Sequence, residues 1–453
     1  MTGRHGYAHD SLIFIAVSLY PREHFMSLSE TPAPLERGAG PDGPAAALAE
    51  PTRKVTARWV TGLVLVNVGI NAAFFGPINV FIGQQAISID EPSKEAILSL
   101  ATACGAAVSL VANPLFGALS DRTTSRFGRR SPWVLAGAVL ATAALLAMSG
   151  ATTVALMVLF WSLVQLGANA AYAAITAAVP DRVPVPQRGK VGGLAAMGQT
   201  LGILTGAVFG AVVSGNFVVG YWLCAAALLL SVLPYLFHRN DPVLPGGVLP
   251  RFRLLGFLRG FWISPRLYPD FAWAWLTRFL VNVGNQLTIV YLLFFLRDIL
   301  NYGDPAAGVL VLTGIYALMV MITAVVAGPW SDRAGKRKPF VIGSSAINAM
   351  AGMIMAFFPV WPGALAGAAV LGIGFGAYLA VDFALLTQVL PQAVDRGKDM
   401  GVINVANSLP QVVAPFLAFV AVTHWGGYQS LFLIAAAIGL LGAVFVVKIK
   451  GVR

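Results

Sequence analysis

Asp382 and Arg278 are the residues best placed to do chemistry. Each lies well inside a long apolar run, where an ionised side chain is costly unless it has a partner or a task. A carboxylate can take up and release a proton. A guanidinium can hold a carboxylate, an anion or substrate hydroxyls through its fork of N–H donors. Asp382 precedes Pro391 by nine residues, about 13 Å along a helix, and Arg278 lies ten residues into its own run, about 15 Å along. The matching depths allow an Asp382–Arg278 pair in which each charge lowers the other's burial cost. Such a pair either locks two helices together or makes Asp382 a protonation site that frees Arg278 when it takes a proton.

A second set is neutral. Asn67, Asn71, Gln165, Asn169 and Tyr172 lie in apolar runs of the first half of the chain; Asn282, Asn285, Gln286, Tyr378, Thr387 and Gln388 lie in those of the second. Gln199 and Asn407 stand 208 residues apart at matching places, with Gln411 one turn further. Asn67 and Asn71 are spaced i, i+4, as are Asn282 and Gln286, so each pair points one way. Amides pair with hydroxyls as both donor and acceptor, and rings such as Trp161, Trp273 and Trp275 offer faces for a sugar. The set therefore predicts polyol binding, with interhelical hydrogen bonding as the plainer role for the same side chains.

The runs that must position these residues are long. The chain has 453 residues, 57% hydrophobic and 11% charged, with a mean hydropathy of +0.76. Soluble proteins are about a quarter charged, which argues against a soluble enzyme, a nucleic-acid binder or a disordered chain. Twelve runs are long enough to span a bilayer: 58–86, 95–120, 131–150, 152–179, 191–214, 217–237, 268–296, 305–330, 339–358, 362–390, 401–422 and 427–447. None alternates as a barrel strand would, and in lipid each backbone polar group must pair within its own segment, so the runs are read as helices. Cys104 and Cys224 sit inside apolar runs and the five histidines have no ligand spacing, so no disulfide framework, metal or other cofactor is expected.

The net charge of +11 is a matter of topology. All Lys and Arg residues except Lys94, Arg278 and Arg297 fall before or at the start of the first run, in alternate loops, or after the last run. An excess of these residues marks the cytoplasmic side, so both termini are expected inside a plasma (inner) membrane, and nucleic acid is not expected as a partner. Residues 1–57, rich in Pro, Gly, Ala and Glu, are expected to be a disordered cytoplasmic tail, with Met26 as an alternative start to Met1. Residues 238–267, carrying Pro242, Pro245 and Pro250, form a cytoplasmic central loop between bundles 58–237 and 268–447, and 448–453 is a short tail.

The two bundles repeat. Val66-Asn67-Val68-Gly69 recurs as Val281-Asn282-Val283-Gly284, Ser120-Asp121-Arg122 as Ser331-Asp332-Arg333, Pro180 as Pro391, and Arg188-Gly189-Lys190 as Arg396-Gly397-Lys398. Four matches in one order, at offsets from 208 to 215 residues, indicate a duplicated six-helix unit. Duplicated halves place a site between them near the bilayer midplane. Gly202, Gly206 and Gly210 form a small-residue face for close packing, matched by Pro410, Ala414 and Ala418. Gly372, Gly374 and Gly376 follow no strand and are not a dinucleotide loop.

The loop after the second run reads Gly117-Ala118-Leu119-Ser120-Asp121-Arg122-Thr123-Thr124-Ser125-Arg126-Phe127-Gly128-Arg129-Arg130, and a shorter version, Gly328 to Lys338, follows the eighth. With twelve runs in two halves, it resembles the signature between the second and third helices of the major facilitator superfamily over about residues 55–450. Its wording is most similar to the glycoside–pentoside–hexuronide cation symporters and plant-type sucrose–proton symporters. The resemblance implies an all-α membrane fold of two pseudo-symmetric six-helix bundles. It also implies a latch in which Asp121 faces the eleventh helix and Asp332 the fifth, closing the cytoplasmic side. Arg122, Arg126, Arg129, Arg130 and Arg333 belong to the same gating loops, and Gly117 is expected to permit close helix approach. The arginines' plainer role is to hold the loops inside and touch anionic lipid.

One departure bears on the coupling ion. Melibiose-type sodium symporters carry carboxylates in first-half helices, whereas here those runs carry Asn67, Asn71, Asn113, Gln165 and Asn169. Proton coupling is therefore expected ahead of sodium. The expectation is a monomeric secondary transporter, not an enzyme, that moves a small-molecule substrate of sugar or glycoside type and is surrounded by membrane lipid. Proton-driven efflux of a drug or amphiphile on the same fold is the alternative, and a non-transporting sensor a remote one.

Overall fold

In the computed structural model, residues 51–213, 215–237, 243, 266–334, 337–388 and 396–450 are described. Among them no strand forms. The helices in chain order are α1 (Ala57–Ile89), α2 (Lys94–Asp121), α3 (Ser131–Ser149), α4 (Val154–Arg182), α5 (Val185–Val212) and α6 (Phe217–Phe237). They continue as α7 (Pro269–Asp298), α8 (Pro305–Ala334), α9 (Lys338–Phe357), α10 (Trp361–Gln388), α11 (Arg396–His424) and α12 (Gly427–Val446). Eleven are long and apolar enough to cross a membrane, and among the described residues α11 has a shorter apolar stretch, Ser408–His424. The protein is a multi-pass membrane protein. Val212, Leu230, Val325 and Val444 point outward fully or largely exposed, a liability in water and a match for acyl chains.

Local chemistry sets the helix starts and breaks. Thr56 and Thr153 cap α1 and α4, their hydroxyls accepting from the Trp59 and Leu156 N–H groups. Pro77 lacks an N–H, and the α1 ladder widens there to a π-turn over Pro77–Phe81, closed by Ile82 N–H to the Pro77 carbonyl. At the matching place α7 is interrupted at Tyr291, between Pro269–Val290 and Leu292–Asp298.

The halves pack alike. α1 packs on α5 and α6, α3 on α4 and α6, and α2 on α4; six helices on, α7 packs on α11 and α12, α9 on α10 and α12, and α8 on α10. Across the halves the counterpart contacts are α2 with α11 and α5 with α8. The glycine stripe explains the tight α1–α5 contact: a β-carbon at Gly202 would come within 2.5 Å of the Val68 carbonyl oxygen, and Gly206 would meet the Gly76 backbone equally closely. Pro410, Ala414 and Ala418 are all buried in the equivalent α11 face. Gly372 and Gly376 seat α10 against carbonyls of Tyr316 and Val320 on α8, a packing role.

Candidate functional site

Asp382 and Arg278 meet. The Arg278 guanidinium donates to Asp382 Oδ2, and the Tyr378 hydroxyl, one turn earlier on α10, donates to Asp382 Oδ1 at 2.7 Å. Asp382 and Tyr378 are almost wholly buried, at 4% and 0% exposure. Tyr378 belongs to a buried apolar and aromatic cluster that includes Phe271, Ala274, Val381 and Phe375. The pair joins α7 to α10, so both charges belong to one half. In so dry a setting, removing either partner leaves an uncompensated charge.

The neutral residues divide. Asn67 and Asn71 are buried with their β-carbons against Gly198 and Gly202 of α5, and each donates to a carbonyl one turn back, Leu63 and Asn67 respectively. Asn282 likewise donates to the Arg278 carbonyl. Asn169 lies at the centre of a first-half network. Its Oδ1 accepts from Ser109 at 3.0 Å and Asn113 at 3.3 Å, and its Nδ2 donates to Gln165 Oε1 at 3.1 Å. Gln199 donates to the Tyr172 hydroxyl at 2.7 Å, and Tyr316 to Asn285 at 3.3 Å. The side chains of Thr387, Gln388 and Asn407 lie outside the described residues, as does that of Asp332.

A cavity of about 50 Å³ lies between the halves, walled by α1, α2, α4, α7 and α11. Its polar lining is Asn79, Thr102, Gln165, Gln286 and Gln411. Sequence reasoning found Gln165, Gln286 and Gln411 but missed Asn79 and Thr102, which sit beyond the repeated Asn-Val-Gly core where no internal match drew attention to them. The expected aromatic wall is different too. Trp161 is fully buried against Gly105, Trp273 packs on Phe445 and Trp275 stacks on Phe279, whereas Phe75 faces the cavity. Trp161 and Trp273 fill contacts between helices, where large flat rings bury much area, and Trp275 stacks within α7.

The two ends of the bundle are built differently. At the end carrying residues 90–94 and 299–304, the halves are tied together. Lys94 bonds both Asp298 oxygens at 2.7–2.8 Å, Arg297 pairs with Glu91, and the Tyr291 hydroxyl donates to the Glu95 carbonyl at 2.9 Å. Lys94 and Arg297 are thus two helix-end cations that stand apart from the prevailing charge distribution, and both bridge the halves. The gating residues inferred from the signature did not include them, because a lone Lys and a lone Arg carry no motif.

At the basic end the charges stay within the first half. Arg130 donates to Asp181 at 2.8 Å, and to Ser120 and Asp121 at 2.5 Å each; Arg129 also pairs with Asp181. Burial works against the Arg130 cation, but hydrogen bonds and charge from Asp181 and Asp121 outweigh it and raise its pKa, so it stays charged. Gly128 makes the turn that delivers both arginines, at φ +88°. Asp181 was the missed member of this network. In this conformation Asp121 is held by Arg130 rather than α11, and its side chain remains 48% exposed. Arg122 donates to the Ala118 carbonyl, Arg126 lies over the Phe127 ring and Arg333 is exposed. The close approach expected at Gly117 is absent: a β-carbon there would meet open space.

The sequence profile of the Major Facilitator Superfamily matches residues 59–314 and 306–452. The chain belongs to the major facilitator superfamily. Solved structures agree on the fold. The peptide transporter POT in complex with sulfate is similar at a TM-score of 0.70 and 14% identity, covering 89% of this chain and 96% of that one. The nucleoside transporter NupG gives 0.68 and 14%, covering 86% and 98%. A bacterial homologue of the human lysosomal transporter Spinster, in an inward-facing and unoccupied conformation, gives 0.60 and 15%, covering 87% and 96%. No curated protein matches the sequence.

Proposed function

We propose that this major facilitator protein is a proton-coupled secondary transporter of a small polar solute, a sugar or glycoside. The proposed location is the plasma membrane, with both termini and the central loop cytoplasmic. The buried Asp382, held by Arg278 and Tyr378, carries the coupling argument. A carboxylate in that position can stay ionised against Arg278 or take a proton and release it, and the two states favour different packings of α7 and α10. The sugar reading rests on amides and a hydroxyl in the cavity, and on a lining with one phenylalanine and no methionine among the described residues; a drug exporter's pocket would be richer in both. With the basic end cytoplasmic, Lys94–Asp298 and Arg297–Glu91 close the outer end, and the Asp121 and Asp332 latch belongs to the opposite, outward-open state.

Uptake into proteoliposomes tests this. A panel of sugars and glycosides is offered with and without an imposed proton gradient, and one member accumulates only with the gradient. Asp382→Asn abolishes accumulation and flattens its pH dependence. Proton-driven accumulation undiminished in Asp382→Asn would remove Asp382 from the coupling step.

A further inference from the structure

The backbone does not leave the bundle where α12 ends. Three tight turn bonds follow Val446: Val447 N–H to the Val444 carbonyl, Lys448 to Phe445 and Ile449 to Val446, at 3.0–3.2 Å. Val447, Lys448 and Lys450 are exposed, yet Ile449 between them is fully buried. It belongs to the cluster of Phe271, Val341, Tyr378, Val381 and Val446, drawn from α7, α9, α10 and α12. Two hydrogen bonds hold the segment there. The Lys338 ammonium donates to the Ile449 carbonyl, and the Lys450 backbone N–H donates to Asp270 Oδ1 at 2.9 Å. Lys338 opens α9 and Asp270 lies in the first turn of α7. A helix N-terminus offers only free N–H donors, so the Ile449 carbonyl gives Lys338 an acceptor that its own helix lacks. Phe271 precedes Arg278 by seven residues, about 10 Å along α7. The cluster therefore runs from the basic end of the second half to the level of the charged pair, and it includes Tyr378, whose hydroxyl holds Asp382.

We infer that residues 447–450 are a strap across the basic end of the second half, and that Ile449 is the plug that keeps water from the Asp382–Arg278 pair. The strap closes one half on itself, so it is a gate separate from any opening between the halves. Shut, it leaves the pair dry, where the two charges hold each other most strongly. Lifted, it leaves a gap the size of one isoleucine side chain at the end of the cluster. Water entering there solvates both charges and weakens their hold on each other. Whatever Asp382 exchanges with water on the basic side passes this gate first. The inference needs the geometry of the pair and of the strap, and is independent of the solute.

The test uses Ala274→Cys in the full-length protein. Ala274 is 1% exposed, in the same cluster and one turn before Arg278. Labelling at position 274 by a charged, water-soluble maleimide is followed by peptide mass spectrometry, which counts Cys104 and Cys224 apart. With the strap intact, labelling is slow. Ile449→Ala is expected to speed it by at least about tenfold, because a large-to-small change in a core is costly and labelling tracks the opened population. Lys338→Met removes only the tether and is expected to speed it about fivefold, one hydrogen bond's worth. It carries the test if Ile449→Ala does not fold. Leu431→Ala, an equally buried deletion on α12 outside this cluster, controls for general loosening and should leave the rate within about twofold. A strap variant that folds and labels no faster, or equal acceleration in Leu431→Ala, overturns the inference.

Discussion

The two ends of the bundle use the same kinds of charge for opposite purposes. At the basic end Arg129 and Arg130 are buried and share Asp181 with Asp121 at the rim, all inside one half. At the other end Lys94 and Arg297 reach across to the opposite half. A network within a half moves with it and makes it rigid. A pair between halves holds the two halves to each other, so its strength bears on any conformation in which they part at that end. Burial ranks them: Arg130 is 3% exposed in its side chain, Lys94 11%, Asp298 24% and Arg297 34%.

That ranking orders the outcomes expected of substitution. Asp181→Asn has the largest effect, since it strips two buried guanidiniums of their shared carboxylate; a loss of roughly 3–5 kcal/mol of stability is expected in thermal or denaturant unfolding in detergent. A loss near zero would mean that the basic-end network does not rigidify its half. Lys94→Met comes next. It should shift the balance toward a form open at the end carrying residues 90–94 and 299–304 by about tenfold, or 1.4 kcal/mol, read as a longer distance between spin labels placed on the two halves near residues 90 and 300. An unchanged distance distribution would make this pair decorative. Asp121→Asn removes one half-exposed partner of Arg130, so about 1 kcal/mol of stability is expected. Its effect on transport rate should exceed its effect on stability, if Asp121 exchanges Arg130 for α11 in the other state. Glu91→Gln is the smallest, at most about 0.5 kcal/mol and vanishing in high salt, because Arg297–Glu91 is exposed and screened. A double-mutant cycle on Lys94 and Asp298 sharpens the contrast by isolating the cross-half term.

Charged residues in apolar runs were legible because burial restricts what they can do. Asp382 and Arg278 stood at equal depths in two helices that the duplication made neighbours of one site, and they pair. Neutral amides were less legible. Asn67, Asn71 and Asn282 satisfy themselves on carbonyls of their own helices, and two of them also pack on glycines, whereas Gln286 and Gln411 face the cavity with free amides. Helical spacing says which residues share a face, not whether that face meets a glycine stripe or an opening. The tryptophans were misplaced for the same reason. Asp181 and Lys94 carried no motif, and their importance comes from partners 51 and 204 residues away.

The sequence by itself determined the number of crossings, the sidedness of charge, the duplication and the superfamily, because lipid forces apolar length and backbone self-pairing on every span. Only the tertiary structure decided which end is tied across the halves and which amides remain free for a ligand. Those depend on which helix faces which at each level of the bundle, a relation that no single segment contains.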